Sequence, residues 1–273
     1  MGEANRRSAS RAEILKSAKR CVYCSSTSAT TIEHMPPRGM FEGKDRPSGW
    51  EFACCDRCNE GSRGSDAVAQ LFALIEPISV SGWKGDQISR AMAAVRKQAP
   101  KVLSELSPLG KSRPVLLNRK GLLHEAVELK ADGPATKAHL DVFAAKMAMA
   151  TFATYIGRPM NMDGIIYTQW FLNRGMGQDA YHASLSIMPS FDELRQGRKT
   201  SGKQFHLHYN TDLSSLIVGL ISFHGCLTVM LVASDGDEFR PTLDNMLQRM
   251  IGPHRPGSQL TEPGLPNLEF LRS

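Results

Sequence analysis

Two close cysteine pairs constrain this chain more than any other feature. Cys21 and Cys24 form one C-x-x-C turn and Cys55 and Cys58 another, giving C-x2-C-x30-C-x2-C. Five of the six cysteines fall between positions 21 and 58. Such crowding argues for a metal site rather than a disulfide framework. Each C-x-x-C turn can present two sulfurs about 2.3 Å from one Zn²⁺, and four thiolates close a tetrahedral shell, so the expected role is structural. Cys54 and Cys55 are adjacent, and either could pair with Cys58; the x2 spacing favours Cys55 and leaves Cys54 as a core or spare thiol.

The segment between the pairs carries T-I-E-H-M-P-P-R, and an Asn follows the last cysteine directly. The composite C-x-x-C … E-H-x-P-P-R … C-x-x-C-N resembles the HNH (ββα-metal) nuclease family, in its zinc-stapled branch. The resemblance covers roughly the first 66 residues, about a quarter of the chain. It implies that His34 acts as general base toward the attacking water, that Glu33 ligates a catalytic Mg²⁺ or similar divalent cation, and that Asn59 stands at a metal-binding position. Phosphodiester hydrolysis needs a base for water and positive charge for the oxygens of the phosphate, and imidazole titrates in the useful range. Hard oxygen ligands beside a thiolate site would keep two metals apart by softness.

The chain departs from the family pattern in one place. Where the family carries a middle Asn before the second cysteine pair, this sequence reads S-G-W-E-F-A-C-C, with Trp50 near the expected position. Asp66, seven residues after Asn59, is a carboxylate close enough in sequence to substitute. Arg38 follows the two prolines and is placed to contact a phosphate, with an ordinary surface role as the alternative.

Taken in order, residues 1–20 form a basic arm with Arg6, Arg7, Arg11, Lys16, Lys19 and Arg20 against Glu3 and Glu13. A short helix from about Ser10 would use Ile14 and Leu15 as apolar contacts. Residues 21–80 read as strand, loop, strand and helix, with Thr31–His34 as the first strand and W-E-F-A as the second. Met35-Pro36-Pro37 forces a turn, since neither proline donates a backbone hydrogen bond. Ser65 or Asp66 is placed to cap the following helix.

Residues 84–251 predict an α+β domain without recognisable chemistry. Residues 86–106 read as amphipathic helix interrupted near Pro100, and residues 136–156 as the clearest helix, ended by Gly157. P-V-L-L-N-R-K-G-L-L-H predicts a strand pair. Residues 164–172 and 205–210 are strand-like, and a buried hairpin is expected to turn near His224-Gly225. His206 and His208 share one face of their strand and make a weak candidate metal pair; Cys226 reads as a small buried apolar residue. Residues 252–273 are rich in Pro and Gly and read as a tail.

The fold class expected is therefore α+β: an N-terminal zinc-stapled ββα-metal module followed by an α+β domain. The net charge of +6 over 273 residues is mild and does not by itself indicate nucleic acid. No stretch approaches the ~18 apolar residues of a membrane span, and the first 20 lack a signal-peptide core, so the expected location is cytoplasmic. The resemblance makes DNA the expected partner, hydrolysed at its phosphodiester bonds. The C-terminal part would serve a protein partner, substrate choice or regulation. The competing reading is a non-catalytic zinc module binding nucleic acid or protein.

Overall fold

The computed structural model describes residues 11–25, 27–43, 45–75, 83–106, 114–119, 121–127, 131–172, 195–235 and 250–256. Helix α1 (Arg11–Ser17) precedes the first cysteine turn, and strands β1 (Thr31–His34) and β2 (Glu51–Cys54) form an antiparallel pair. In that pair His34 lies opposite Glu51, and Glu33 opposite Phe52. A 3₁₀ turn (Arg38–Met40) follows the prolines, with Met35-Pro36 in the cis form. Helices α2 (Asp56–Gly61) and α3 (Arg63–Leu74) then complete the strand–strand–helix order expected from the sequence.

Helices α4 (Trp83–Gln98) and α5 (Pro100–Leu106) break at Pro100 as predicted, since a ring without an N–H cannot continue the ladder. A separate hairpin, β3 (Pro114–Arg119) and β4 (Leu122–Val127), follows. The longest helix is α6 (Pro134–Ile156), which starts with Pro at its first turn and ends at Gly157 with φ 83°, the left-handed cap glycine favours. Its free amides are satisfied from outside: the Glu105 carboxylate accepts the N–H groups of Ala135 and Thr136, both at 2.8 Å. A carboxylate at a helix N-terminus also meets the positive end of its dipole.

Six antiparallel strands make the large sheet: β5 (Ile165–Leu172), β6 (Arg195–Ser201), β7 (Phe205–Thr211), β8 (Leu216–Phe223), β9 (Leu227–Ser234) and β10 (Ile251–His254), in the order β10-β5-β9-β8-β7-β6. β8 and β9 are buried along their whole length and join at His224-Gly225, where both residues have positive φ. β10 takes the edge beside β5, so the segment expected as tail begins with three residues of sheet, 252–254. The rest of that segment, from 257, lies outside the described residues, as do residues 1–10 of the basic arm.

One apolar core runs through both parts of the chain. It joins Tyr23, Met35, Trp50, Phe52 and Leu71 near the cysteines to Phe143 and Met147 of α6 and to Phe205, Phe223 and Leu231 of the sheet. Trp50 is the joint: its buried ring meets Phe52 at 6.2 Å and Phe205 at 5.7 Å, both edge-on. Trp50 is thus a packing residue between β2 and the sheet. Ser65 and Asp66 do not cap a helix; α3 begins at Arg63, and both side chains turn inward toward α6.

Candidate functional site

The cysteine cluster forms as the spacing implied. The sulfurs of Cys21, Cys24, Cys55 and Cys58 all lie within 4.8 Å of one another, and Cys24 Sγ stands 3.9 Å from Cys55 Sγ. Four sulfurs around a tetrahedral Zn²⁺ at about 2.3 Å would stand about 3.8 Å apart, so the donor set fits a metal ion such as zinc. Hydrogen bonding with Cys24, together with burial, pushes the Cys21 thiol up to about 11, and contacts with Cys21 and Cys24 raise Cys58. Crowded thiols resist ionisation until a cation offsets the charge, so metal uptake here would release protons. Cys54 belongs to the core instead, next in chain to the ligand set but outside it.

His34 and Glu33 are neighbours in sequence and face opposite ways, because successive strand residues alternate faces. On the outer face His34 Nδ1 lies 3.7 Å from Glu51 Oε1, its cross-strand partner. Glu51 is itself fixed by Arg46, whose Nη1 reaches Oε1 at 2.5 Å. The same guanidinium donates to the carbonyls of Pro36 (3.1 Å) and Trp50 (2.5 Å), so it ties the proline turn, the loop and β2 together. His34, Glu51, Arg38, Arg11, Ile14, Thr31 and Ile32 line a cavity of about 330 Å³. Burial, followed by the charges of Arg38 and Arg46, holds the imidazole below its ordinary value, while Glu51 pulls the other way. The shift favours the neutral imidazole, the state a proton acceptor needs.

The turn that carries Arg38 is anchored by the sheet. His224, at the tip of the β8–β9 hairpin, donates from Nε2 to the Met40 carbonyl at 2.5 Å, and Phe41 packs against Phe205 and His224. The C-terminal part thus positions one wall of the cavity.

On the inner face, Glu33 is almost wholly buried and faces Lys146 of α6, whose ammonium lies 3.5 Å from Glu33 Oε1. The same ammonium bonds both oxygens of Asp66, at 2.6 and 2.8 Å, and stands 5.2 Å over the Tyr23 ring. Lys146 has no exposed surface at all. Burial raises Glu33 to about 7 and raises Asp66 as well, with Lys146 opposing both shifts. Asn59 does not reach His34. Its Nδ2 donates to Thr31 Oγ1 at 3.3 Å, three residues back along β1, about 10 Å away at strand rise.

The residues around His34 do not fit the divalent cation that the resemblance implies. The two carboxylates expected near such an ion, Glu33 and Asp66, already share the Lys146 ammonium behind the strand. Among the described residues the only group of three or more metal-binding side chains is the cysteine cluster. Lys146, Glu51 and Arg46 were not singled out from the sequence. For Lys146 a signal existed: it is the one charge between Asp141 and Ile156 in a helix apolar nearly all round, where a Lys is rarely buried without a partner. His206 and His208 lie together on β7, on a sheet face rather than at a ligand cluster.

No family model, curated protein or solved structure matches this chain. Among the described residues, no helix is long and apolar enough to cross a membrane.

Proposed function

We propose that this chain binds nucleic acid at the His34 cavity and hydrolyses DNA phosphodiester bonds there, with zinc on the four cysteines as a structural staple. The observation that carries the reading is the convergence on one cavity of an imidazole biased toward its neutral form, a carboxylate beside it and the guanidiniums of Arg38 and Arg11. His34 takes a proton from water as the water oxygen attacks phosphorus and the bond from phosphorus to the leaving sugar oxygen breaks; that oxygen takes a proton from solvent, and Glu51 stabilises the imidazolium that forms. Arg38 and Arg11 offset the charge that grows on the non-bridging oxygens, since guanidinium matches phosphate geometry with two donors. A divalent cation would supply that same charge, but Glu33 is committed to Lys146. Arg38 replaces it as the first contact.

A second reading rests on that same ion pair. With the acidic residue of the E-H motif tied to a buried lysine, the scaffold could serve binding alone, recognising phosphate through Arg38 and Arg11. The test is incubation of single- and double-stranded DNA with the zinc-loaded protein, with and without Mg²⁺ or Mn²⁺, beside His34→Ala at equal zinc content. Cutting that disappears in His34→Ala while DNA affinity persists supports hydrolysis. Cutting that survives the substitution refutes it. Binding without cutting, lost in Arg38→Ala, establishes the second reading.

A further inference from the structure

The β6–β7 hairpin is strongly basic in its own sequence, as is the α4–α5 segment over residues 88–104. Residues 195–211 contain Arg195, Arg198, Lys199 and Lys203 and no Asp or Glu, so 17 residues hold four of the chain's six net positive charges. β6 is the outer strand of the six-stranded sheet, and Arg195, Arg198 and Lys203 are exposed. His208 lies opposite Arg198 across the ladder, and the nearness of Arg198 and His206, after burial, depresses its basicity. The hairpin itself contributes no carboxylate, and with Asp45 against its turn the cations still outnumber the acids, which favours an anion brought from outside.

The hairpin is also tied to the His34 cavity. Gln204 in its turn donates to Asp45 Oδ2 (2.8 Å) and accepts the Glu42 N–H (2.9 Å), and Lys199 Nζ donates to the Ser48 carbonyl (3.1 Å). Those three residues belong to the loop that carries Arg46, which in turn holds Glu51 at the cavity wall. We infer that the β6–β7 hairpin is a second phosphate-contacting element, which holds the backbone of the same nucleic-acid strand that enters the His34 cavity. This inference rests on the nucleic-acid reading above. Lysine and arginine on an edge strand can also serve only to block pairing with another sheet. Edge protection, however, gives no reason for the hairpin turn to be bonded to the loop at the cavity.

Salt dependence separates these roles, because each phosphate neutralised adds about 0.9 to the slope of log affinity against log salt on duplex DNA and about 0.7 on a single strand. Fluorescence anisotropy with a labelled duplex and a labelled single strand, across a salt series, would compare three proteins. These are the zinc-loaded wild type, R195Q/R198Q/K203Q, and R90Q/R96Q/K97Q, which removes the same charge from exposed positions on α4. The slope is expected to fall by about 2–3 in the hairpin variant and by less than about 1 in the α4 variant. Equal slopes in the two variants would overturn the inference. So would a hairpin variant that self-associates with an unchanged slope, since the cations would then only guard the edge. A wild type that binds neither oligonucleotide removes this inference together with the nucleic-acid reading. A wild type that binds without cutting leaves the slopes to decide the hairpin alone.

Discussion

Replacing Lys146 by Met probes the inner face of β1 directly. The ammonium is fully buried, bonds both Asp66 oxygens and faces Glu33, so the substitution keeps the hydrocarbon length and leaves two carboxyl groups without their cation. Breaking a buried pair from one side costs about 3–5 kcal/mol when the remaining charge stays ionised. That charge need not stay ionised. Burial already raises Glu33 to about 7 and raises Asp66, and Lys146 lowers both; its removal drives both further up. A carboxyl whose folded value lies above its unfolded one stabilises the fold fully below the unfolded value and loses that contribution as pH rises through the folded one. Each additional proton held by the folded variant thus changes stability by about 1.4 kcal/mol per pH unit. Lys146→Met is expected to cost about 3–5 kcal/mol at pH 8 and about 1–2 kcal/mol at pH 5, because burial favours the protonated carboxyls as pH falls. Urea unfolding of the zinc-loaded proteins at pH 5, 6, 7 and 8 measures this. Equal losses at pH 5 and 8, or a loss under 1 kcal/mol at pH 8, would show that the three groups do not share one buried site. Adding Glu33→Gln should flatten the pH dependence of both wild type and variant between about pH 4.5 and 7, the interval over which Glu33 titrates.

Three further outcomes follow from the geometry. Trp50→Ala should destabilise the protein by about 3–5 kcal/mol in chemical denaturation, because the ring fills the joint between β2 and Phe205; a loss below 1 kcal/mol would deny it that place. Cys58→Ser should abolish stoichiometric zinc in metal analysis and the ordered near-ultraviolet signal with it, whereas Cys54→Ser should retain zinc, since Cys54 lies outside the sulfur cluster. If the protein cuts DNA, its rate should fall on acidification as His34 is protonated, with a midpoint below the ordinary imidazole value. Arg38→Gln should move that fall to higher pH, because its positive charge is one of the causes that hold the imidazole down.

The cysteine ligand set, the strand–strand–helix order, the break at Pro100, the end of α6 at Gly157 and the turn at His224-Gly225 were all legible in the residues. Each depends on short-range physics: spacing that presents two sulfurs to one ion, a proline that lacks an N–H, a glycine that tolerates positive φ. The choice of Cys55 over Cys54 was legible for the same reason. What surrounds His34 was only half legible. The residue itself could be picked from its motif, but its neighbours Glu51 and Arg46 are selected by strand register and by a loop folding back, and neither has a sequence period.

The opposite placement of Glu33 and His34 shows where the sequence stops. Alternation along β1 guarantees that the two face apart, yet nothing local says which face is covered. Only the packing of α3 and α6 behind the strand brings Asp66 and Lys146 to Glu33, from 33 and 113 residues away in the chain. In a dry interior a carboxylate must find a cation, and the chain supplies its own where a family likeness implied a metal ion. The sequence alone determined the four-cysteine cluster and the order of elements, because those are set by spacing and by backbone chemistry. The tertiary structure decided which of two adjacent residues faces the cavity and which is buried with a lysine, because burial is a property of what packs on top.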